Sequence, residues 1–437
     1  MGIFELTKIK SESCECGKAH INPIGEILVG SGVIKELGAV LSKMGIKKPF
    51  VLSDINTYRA AGEYVCRVLM ESGIAYKSYV LDEEMPEPDE KTVGSAVMNY
   101  DPSCDAVIAV GSGVINDTGK ILAATGNKPY IIVGTAPSMD GYASATSSMT
   151  RGGLKISLPS KSADVIVGDL DILKNAPMHM LVSGLGDMLA KYISICEWRI
   201  ANLITGEYYC EEIAGLVRTA LKKCVDNAKG LLERNEEAVK AVFEGLVIGG
   251  IAMTYAGVSR PASGVEHYFS HVWDMRGVEF GEKVELHGIQ CAVGTLLAAK
   301  YYEKLKAVKP DKEKALAYAT AFDYGAYSAQ LTEFLGKGAR SMIELEKTEG
   351  KYDLDRHAKR IDIIIANWDR ILKIIDEEIP ASSELDELFS LIGAPKTVRE
   401  IGIDPSTVPF TFKATKDIRD KYVLSRLCWD LGIIDEI

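Results

Sequence analysis

Short apolar runs alternate with longer amphipathic stretches over the first 170 or so residues. The runs KPFVLSD (48–54), YKSYVL (76–81), CDAVIAVGSG (104–113) and PYIIVGTAPS (129–138) have the length and β-branched content of strands. VIVGDLDIL (165–173) adds one more. Helical patterns occupy 57–72, 89–100 and 115–125 between them. Such alternation predicts a parallel sheet with helices on its faces. After LKNAP the character changes. The stretches 206–234, 236–258 and 285–306 are long and helical, and no β-rich run follows. The predicted architecture is an α/β domain over 1–175 followed by an all-α domain over 176–437.

Composition narrows the function. A net charge of -11, with no cluster of Lys and Arg, excludes a nucleic-acid partner. Nine cysteines, an odd number lying mostly in apolar stretches, suit a reducing cytosol better than a disulfide framework. The N-terminal stretch MGIFELTKIKSESCECG has no signal-peptide pattern. The most apolar stretch, 245–258, is too short to span a bilayer and reads as a buried helix. A cytoplasmic protein with no membrane span is expected.

Two stretches resemble each other. VGSGVIKELG (29–38) and VGSGVINDTG (110–119) share seven of ten residues, and both follow a strand-like run and open a helix. The second is the candidate phosphate turn. Gly111 and Gly113 let a pyrophosphate approach the backbone, and the helix start, Val114 and Ile115, supplies N–H donors. Asn116 stands where the third glycine of G-x-G-x-x-G is usual, and Asp117 and Lys120 follow. The next strand ends in GTAPSMDGYAS, whose Thr135, Ser138 and Ser144 can hydrogen-bond at the sheet's carboxyl edge. Asp54 closes the strand predicted over 48–54, where it can bind an adenosine ribose or cap the following helix.

Three of the six histidines fall in SGVEHYFSHVWDMRGVEFGEKVELHG (263–288). His267 and His271 are four apart and share a helix face. His287 follows. Asp187 lies in an apolar helical stretch, where a buried carboxylate needs a partner. Asp187 with two histidines would make a catalytic metal site with an open position. Spacing leaves His267/His271 and His267/His287 both open.

The segments VGSGVINDTGK, TAPSMDGYAS, GLGDMLAK, SRPASGVEHYFSH and ELHGIQCAVG occur in this order. Together they resemble the sn-glycerol-1-phosphate dehydrogenases, in their bacterial branch. That family sits within the dehydroquinate synthase-like fold group of metal-dependent alcohol dehydrogenases. The resemblance implies an NAD- or NADP-binding domain, a helical domain and an active site in the cleft between them. It implies a divalent metal (Zn, Ni or Fe) on Asp187, His267 and His287. Asp140, Asp187 and His271 would contact substrate, with Asp187 and His271 serving catalysis. Residues 113–117, Thr135, Ala136, Pro137, Ser138 and Ser144 would hold the cofactor. The implied substrate pair is dihydroxyacetone phosphate and glycerol 1-phosphate, and the implied assembly a homodimer. Arg260 is a candidate for the substrate phosphate, or else a surface or helix-end arginine. Cys14, Cys16 and His20 could suggest a second metal site, but make a poor structural zinc site on so short a segment. A polyol dehydrogenase is disfavoured by Asn116-Asp117 and SRPASG. A sugar-phosphate cyclase would need a denser set of Lys and Arg around the histidines.

Overall fold

The structure is a computed structural model that describes residues 14–152 and 154–437. The N-terminal stretch up to Ser13 lies outside the described residues.

Six strands form one parallel sheet: β1 (Glu26–Gly30), β2 (Pro49–Asp54), β3 (Lys77–Leu81), β4 (Ala106–Gly111), β5 (Tyr130–Gly134) and β8 (Val165–Asp169). Strands β6 (Thr146–Arg151) and β7 (Leu154–Pro159) pair separately. The order across the main sheet is β1-β8-β5-β4-β2-β3. Strands β4, β5 and β8 are buried along their whole length, so they read as unbroken apolar runs rather than alternating ones. From β2 the chain proceeds outward to β3, and from β4 it proceeds the other way to β5. The carboxyl ends of β2 and β4 therefore flank a switch point, where open sheets of this kind bind ligands. Asp54 and Gly111 end those two strands.

The first of the two similar glycine turns is filled from within. Asp169, at the end of β8, accepts from Gly32 N (3.0 Å) and Asp171 N (3.0 Å) on Oδ1, and from Ile34 N (3.1 Å) on Oδ2. The carboxylate is almost fully buried. It supplies the anion that helix-start donors attract, so this turn has no place for a phosphate.

Helices cover both faces of the sheet. Ile34, Leu37, Val40, Val65 and Leu69 pack with Val51, Ile108, Val110, Val133 and Val167. The 21-residue apolar helix Glu236–Ala256 also belongs to this unit, with Phe243 lying over a strip of strand glycines. A Cβ at Gly168 would stand 2.2 Å from the Phe243 ring, and one at Gly134 3.0 Å from it. The length and apolarity of this helix thus reflect a buried place against a sheet.

The chain divides into two compact units, but not at a single cut near residue 175. The sheet unit holds residues up to Gly152, Ile156–Met188 and Glu212–Val258. The second unit holds Leu189–Glu211 and Ser259–Ile437, with a short segment ending at Lys155. Among the described residues from Ser259 onward there is no strand, in keeping with the helical character expected.

Asp169→Ala should cost roughly 2–4 kcal/mol, because it leaves buried N–H groups without their charged acceptor. Denaturant unfolding measures this, and a loss under 0.5 kcal/mol, on the order of a neutral surface change, would contradict the role given to the carboxylate.

Candidate active site

The second glycine turn differs from the first. Helix α1 (Gly113–Thr125) starts directly after β4, and its N-cap Ser112 makes no side-chain cap. Among the described residues no acceptor meets the N–H groups of Gly113, Val114 or Ile115. A Cβ at Gly111 would fall 2.5 Å from the Ile115 Cβ, so glycine is needed there for the turn to close. At Gly113 the nearest atom to a Cβ would be 3.8 Å away, in Met139. Helix-start donors without an acceptor, at a turn where glycine keeps side chains off the backbone, are what a pyrophosphate requires. Gly119 takes over the helix–strand packing role of the missing third glycine. A Cβ there would stand 2.7 Å from the Ala109 Cβ.

The other polar residues of this region brace the turn. Fully buried Asn116 donates to Gly141 O (3.0 Å), and its Oδ1 accepts from Tyr130 OH (3.0 Å). Lys120, also fully buried, donates to Asp117 Oδ1 (3.2 Å), Ser144 Oγ (3.0 Å) and Thr146 O (3.0 Å). Burial pushes its pKa down, against the pull of Asp117. Asp117 Oδ2 accepts from Ser148 N (2.9 Å). Ser138 Oγ lies 2.5 Å from Ser112 Oγ, and Thr135 N donates to Gly111 O (3.1 Å). Pro137 O stands where a Cβ on Gly184 would be, 1.8 Å from it. This close approach places the helix carrying Asp187 against the loop, and buried Asp187 accepts the Asp140 N–H (2.9 Å) on Oδ2. Asp54 caps the helix that follows it, Oδ1 accepting from Thr57 N (2.8 Å), and burial raises its pKa.

The histidines lie in the second unit. Helix α2 (Val265–Phe280) carries His267 and His271, and α3 (His287–Lys306) begins at His287. The helices meet closely because Gly294 has no side chain; a Cβ there would lie 2.6 Å from Glu266 O. The His267 and His287 ring centroids are 5.1 Å apart, and those of His271 and His287 6.2 Å. Glu266 Oε1 sits 2.7 Å from His267 Nδ1 and also accepts from Gly264 N (2.7 Å). Ser270 Oγ lies 3.1 Å from His287 Nδ1. Partners on Nδ1 orient both rings to use Nε2 as ligand atom. Cys291 joins them: donor atoms of His267, His287 and Cys291 lie within 4.8 Å of one another, a spacing that fits one divalent transition metal. Half-buried His271 has its pKa held down by burial and by His287 and His267, so it is neutral at pH 7.

The profile of the iron-containing alcohol dehydrogenases matches residues 28–177. A protein of Halalkalibacterium halodurans named glycerol-1-phosphate dehydrogenase [NAD(P)+] is 28% identical over 426 residues, 97% of this chain and 96% of that one. One of the same name from Geobacillus thermodenitrificans is 31% identical over 305 residues, 69% of this chain and 76% of that one. The chain belongs to the glycerol-1-phosphate dehydrogenase family. Among solved structures, glycerol dehydrogenase from Schizosaccharomyces pombe shares the fold, with a TM-score of 0.62 at 16% identity, covering 94% of this chain and 89% of that one. Alcohol dehydrogenase from Oenococcus oeni does so at 0.58 and 16%, over 94% and 97%. The resemblance read in the motifs is thus borne out, as is the dehydroquinate synthase-like fold.

Within this family member, Arg260 does not serve the phosphate. It is fully buried, its Nε and Nη2 bind Glu207 Oε1 (2.7 Å) and Oε2 (2.5 Å), and its Nη1 donates to Tyr422 O (3.0 Å). A bidentate carboxylate leaves the guanidinium no fork to offer. Sequence reading also missed Glu266, Ser270 and Cys291. Glu266 directly precedes His267, and adjacent helical residues normally face apart, so spacing carried no signal.

Behind Glu266 lies Glu197, which accepts from Leu424 N (2.8 Å) and Val265 N (2.9 Å). Gly264 makes room for both; a Cβ there would be 2.6 Å from Glu197 Oε2 and 2.7 Å from Glu266 Oε2. Burial, then the neighbouring Glu266 charge, pushes the Glu197 pKa up to about 8. A carboxyl whose pKa rises on folding stabilises the fold while protonated. That contribution is complete below its ordinary value of 4.5 and is lost as pH rises to about 8. Metal-free protein should therefore melt lower at pH 8.5 than at pH 6, and Glu197→Gln should shrink the difference. An equal pH dependence in both proteins would refute the shared burial of the two carboxyls.

Proposed function

We propose that the protein catalyses the reversible NAD(P)H-dependent reduction of dihydroxyacetone phosphate to sn-glycerol 1-phosphate. The observation that carries this reading is similarity along nearly the whole chain to relatives named glycerol-1-phosphate dehydrogenase [NAD(P)+]. The proposed metal ligands are His267, His287 and Asp187, the last carried over from the motif GLGDMLAK. Zinc, nickel and iron all suit two imidazoles and a carboxylate.

A divalent cation bound there would supply Lewis acidity toward the C2 oxygen, and a bound nicotinamide the hydride. Glu266, 2.7 Å from His267 Nδ1, would orient this ring and leave Nε2 as the ligand atom. His271 can hydrogen-bond a substrate hydroxyl and relay a proton from water to the developing alcohol, accepting on one ring nitrogen as it donates from the other. The donors of Gly113, Val114 and Ile115 hold the cofactor pyrophosphate, with Thr135 to Ser138 and Ser144 alongside. Asp54 binds the adenosine ribose, and Asp140 contacts substrate. A cytoplasmic homodimer belongs to the same proposal.

Oxidation of NADH and NADPH should be followed with dihydroxyacetone phosphate, glycerol's ketone dihydroxyacetone and a heptulosonate phosphate. Dihydroxyacetone phosphate should be the preferred substrate. Asp187→Ala and His267→Ala should each lose bound metal and roughly 10³-fold or more in turnover. Preference for an unphosphorylated polyol, or full activity in either variant after chelation and dialysis, would overturn the assignment.

A further inference from the structure

Seven of the nine cysteines are buried, where a thiol packs as a small apolar group. Cys14 and Cys16 are not. They stand two apart and half-buried on the segment CECGKAH (14–20), whose other residues before His20 are exposed. His20 itself is only 2% exposed. The function proposed above gives no role to any of the three.

The segment turns back on itself. Gly17 N donates to Cys14 O (3.0 Å), and Gly17 has a φ of 78°, a left-handed conformation that glycine adopts without strain. The turn gathers the side chains that flank it. Cys16 Sγ lies 3.3 Å from His20 Nε2, and one donor atom each from Cys14, Cys16 and His20 lie within 4.8 Å of one another. Tetrahedral zinc, with bonds of about 2.3 Å to sulfur and about 2.0 Å to nitrogen, holds sulfur and nitrogen about 3.5 Å apart and two sulfurs about 3.8 Å apart. A hydrogen bond between Cys16 and His20 accounts for one of these approaches. It does not account for the second thiol at the same point.

The shortness of the segment, which counts against a structural site, is offset by its anchorage. The His20 ring stands 5.6 Å from the Tyr255 ring, and Lys18 Nζ lies 3.5 Å from Ala256 O. Tyr255 and Ala256 end the apolar helix Glu236–Ala256, where a cation suits the helix dipole. Segment and helix belong to the same sheet unit. Asn22 Oδ1 then accepts from Ile24 N (3.0 Å), just before β1 begins at Glu26.

We propose that Cys14, Cys16 and His20 bind a zinc ion of their own, on a ligand set separate from that of His267 and His287. Two thiolates and an imidazole are soft ligands that select zinc over magnesium, calcium or manganese. Each thiol passes its proton to solvent as the ion binds. Three protein donors leave the fourth tetrahedral position to a water or one more side chain. The ion fastens the segment before β1 to the sheet unit and takes no part in hydride transfer.

After loading with zinc and dialysis against metal-free buffer, the wild type should retain one zinc ion per chain more than Cys14→Ser/Cys16→Ser protein, by elemental analysis. Cobalt-loaded wild type should show a near-ultraviolet sulfur-to-cobalt charge-transfer band that is lost in Cys14→Ser/Cys16→Ser protein and kept in Cys291→Ser protein. Zinc should raise the melting temperature of the wild type more than that of Cys14→Ser/Cys16→Ser protein, whose turnover with dihydroxyacetone phosphate should be unchanged. Equal zinc counts in the wild type and folded Cys14→Ser/Cys16→Ser protein, or a cobalt band lost only in Cys291→Ser protein, would overturn the site. Metal counts and spectra are read without substrate, so they decide this site whatever reaction the enzyme proves to catalyse.

Discussion

The first N–H groups of a helix have no acceptor within the helix, and a buried donor must be answered. This chain meets that constraint in two ways at the same sheet edge. After β1, Asp169 reaches across from β8 and fills the turn with its own carboxylate. After β4 no side chain among the described residues does so, and the donors of Gly113, Val114 and Ile115 meet no acceptor among them. Two similar stretches of sequence therefore become a structural clasp and a turn whose first N–H groups meet no acceptor among the described residues. The residues around the second turn make this arrangement durable. Lys120 and Asn116 tie the loop from Gly141 to Thr146 onto α1, so the donors are held in place by groups that have already found partners.

The histidine site follows the same logic of buried polar groups answered in series. Glu266 orients His267, Gly264 leaves room for a second carboxyl from Glu197, and Glu197 is held by two backbone donors. Burial and the neighbouring Glu266 hold a proton on Glu197, so the two carboxyls are not buried as two charges side by side. The result is a rigid imidazole, which is what a metal ligand set needs to discriminate geometry.

Much of this was legible in the sequence, and the exceptions have physical reasons. Strands β2, β4 and β5 announced themselves because both their faces are buried and their apolar runs are unbroken. The β6/β7 pair did not, since β6 buries only Ser147 and Met149. Helix Glu236–Ala256 was recognised but placed in the wrong unit. It is apolar on nearly every side, so its pattern names no partner, and Phe243 reveals one only against strand glycines. In the site, spacing left the roles of His267, His271 and His287 open, and only the motif resemblance proposes how to divide them. It could not show that Arg260 is consumed by Glu207, because that depends on a residue 53 positions away. Nor could it find Cys291, one helical turn beyond His287.

Cys291 also marks the most exposed point of the metal assignment. Its sulfur lies close enough to both histidines to be a ligand, whereas the proposed third ligand is the Asp187 carboxylate. X-ray absorption at the metal edge of Cys14→Ser/Cys16→Ser protein loaded with one equivalent of zinc separates the two. Two imidazoles with a first shell of nitrogen and oxygen only, at about 2.0–2.2 Å, is the expected result. A sulfur scatterer at about 2.3 Å, retained in Asp187→Ala and lost in Cys291→Ser, would contradict it.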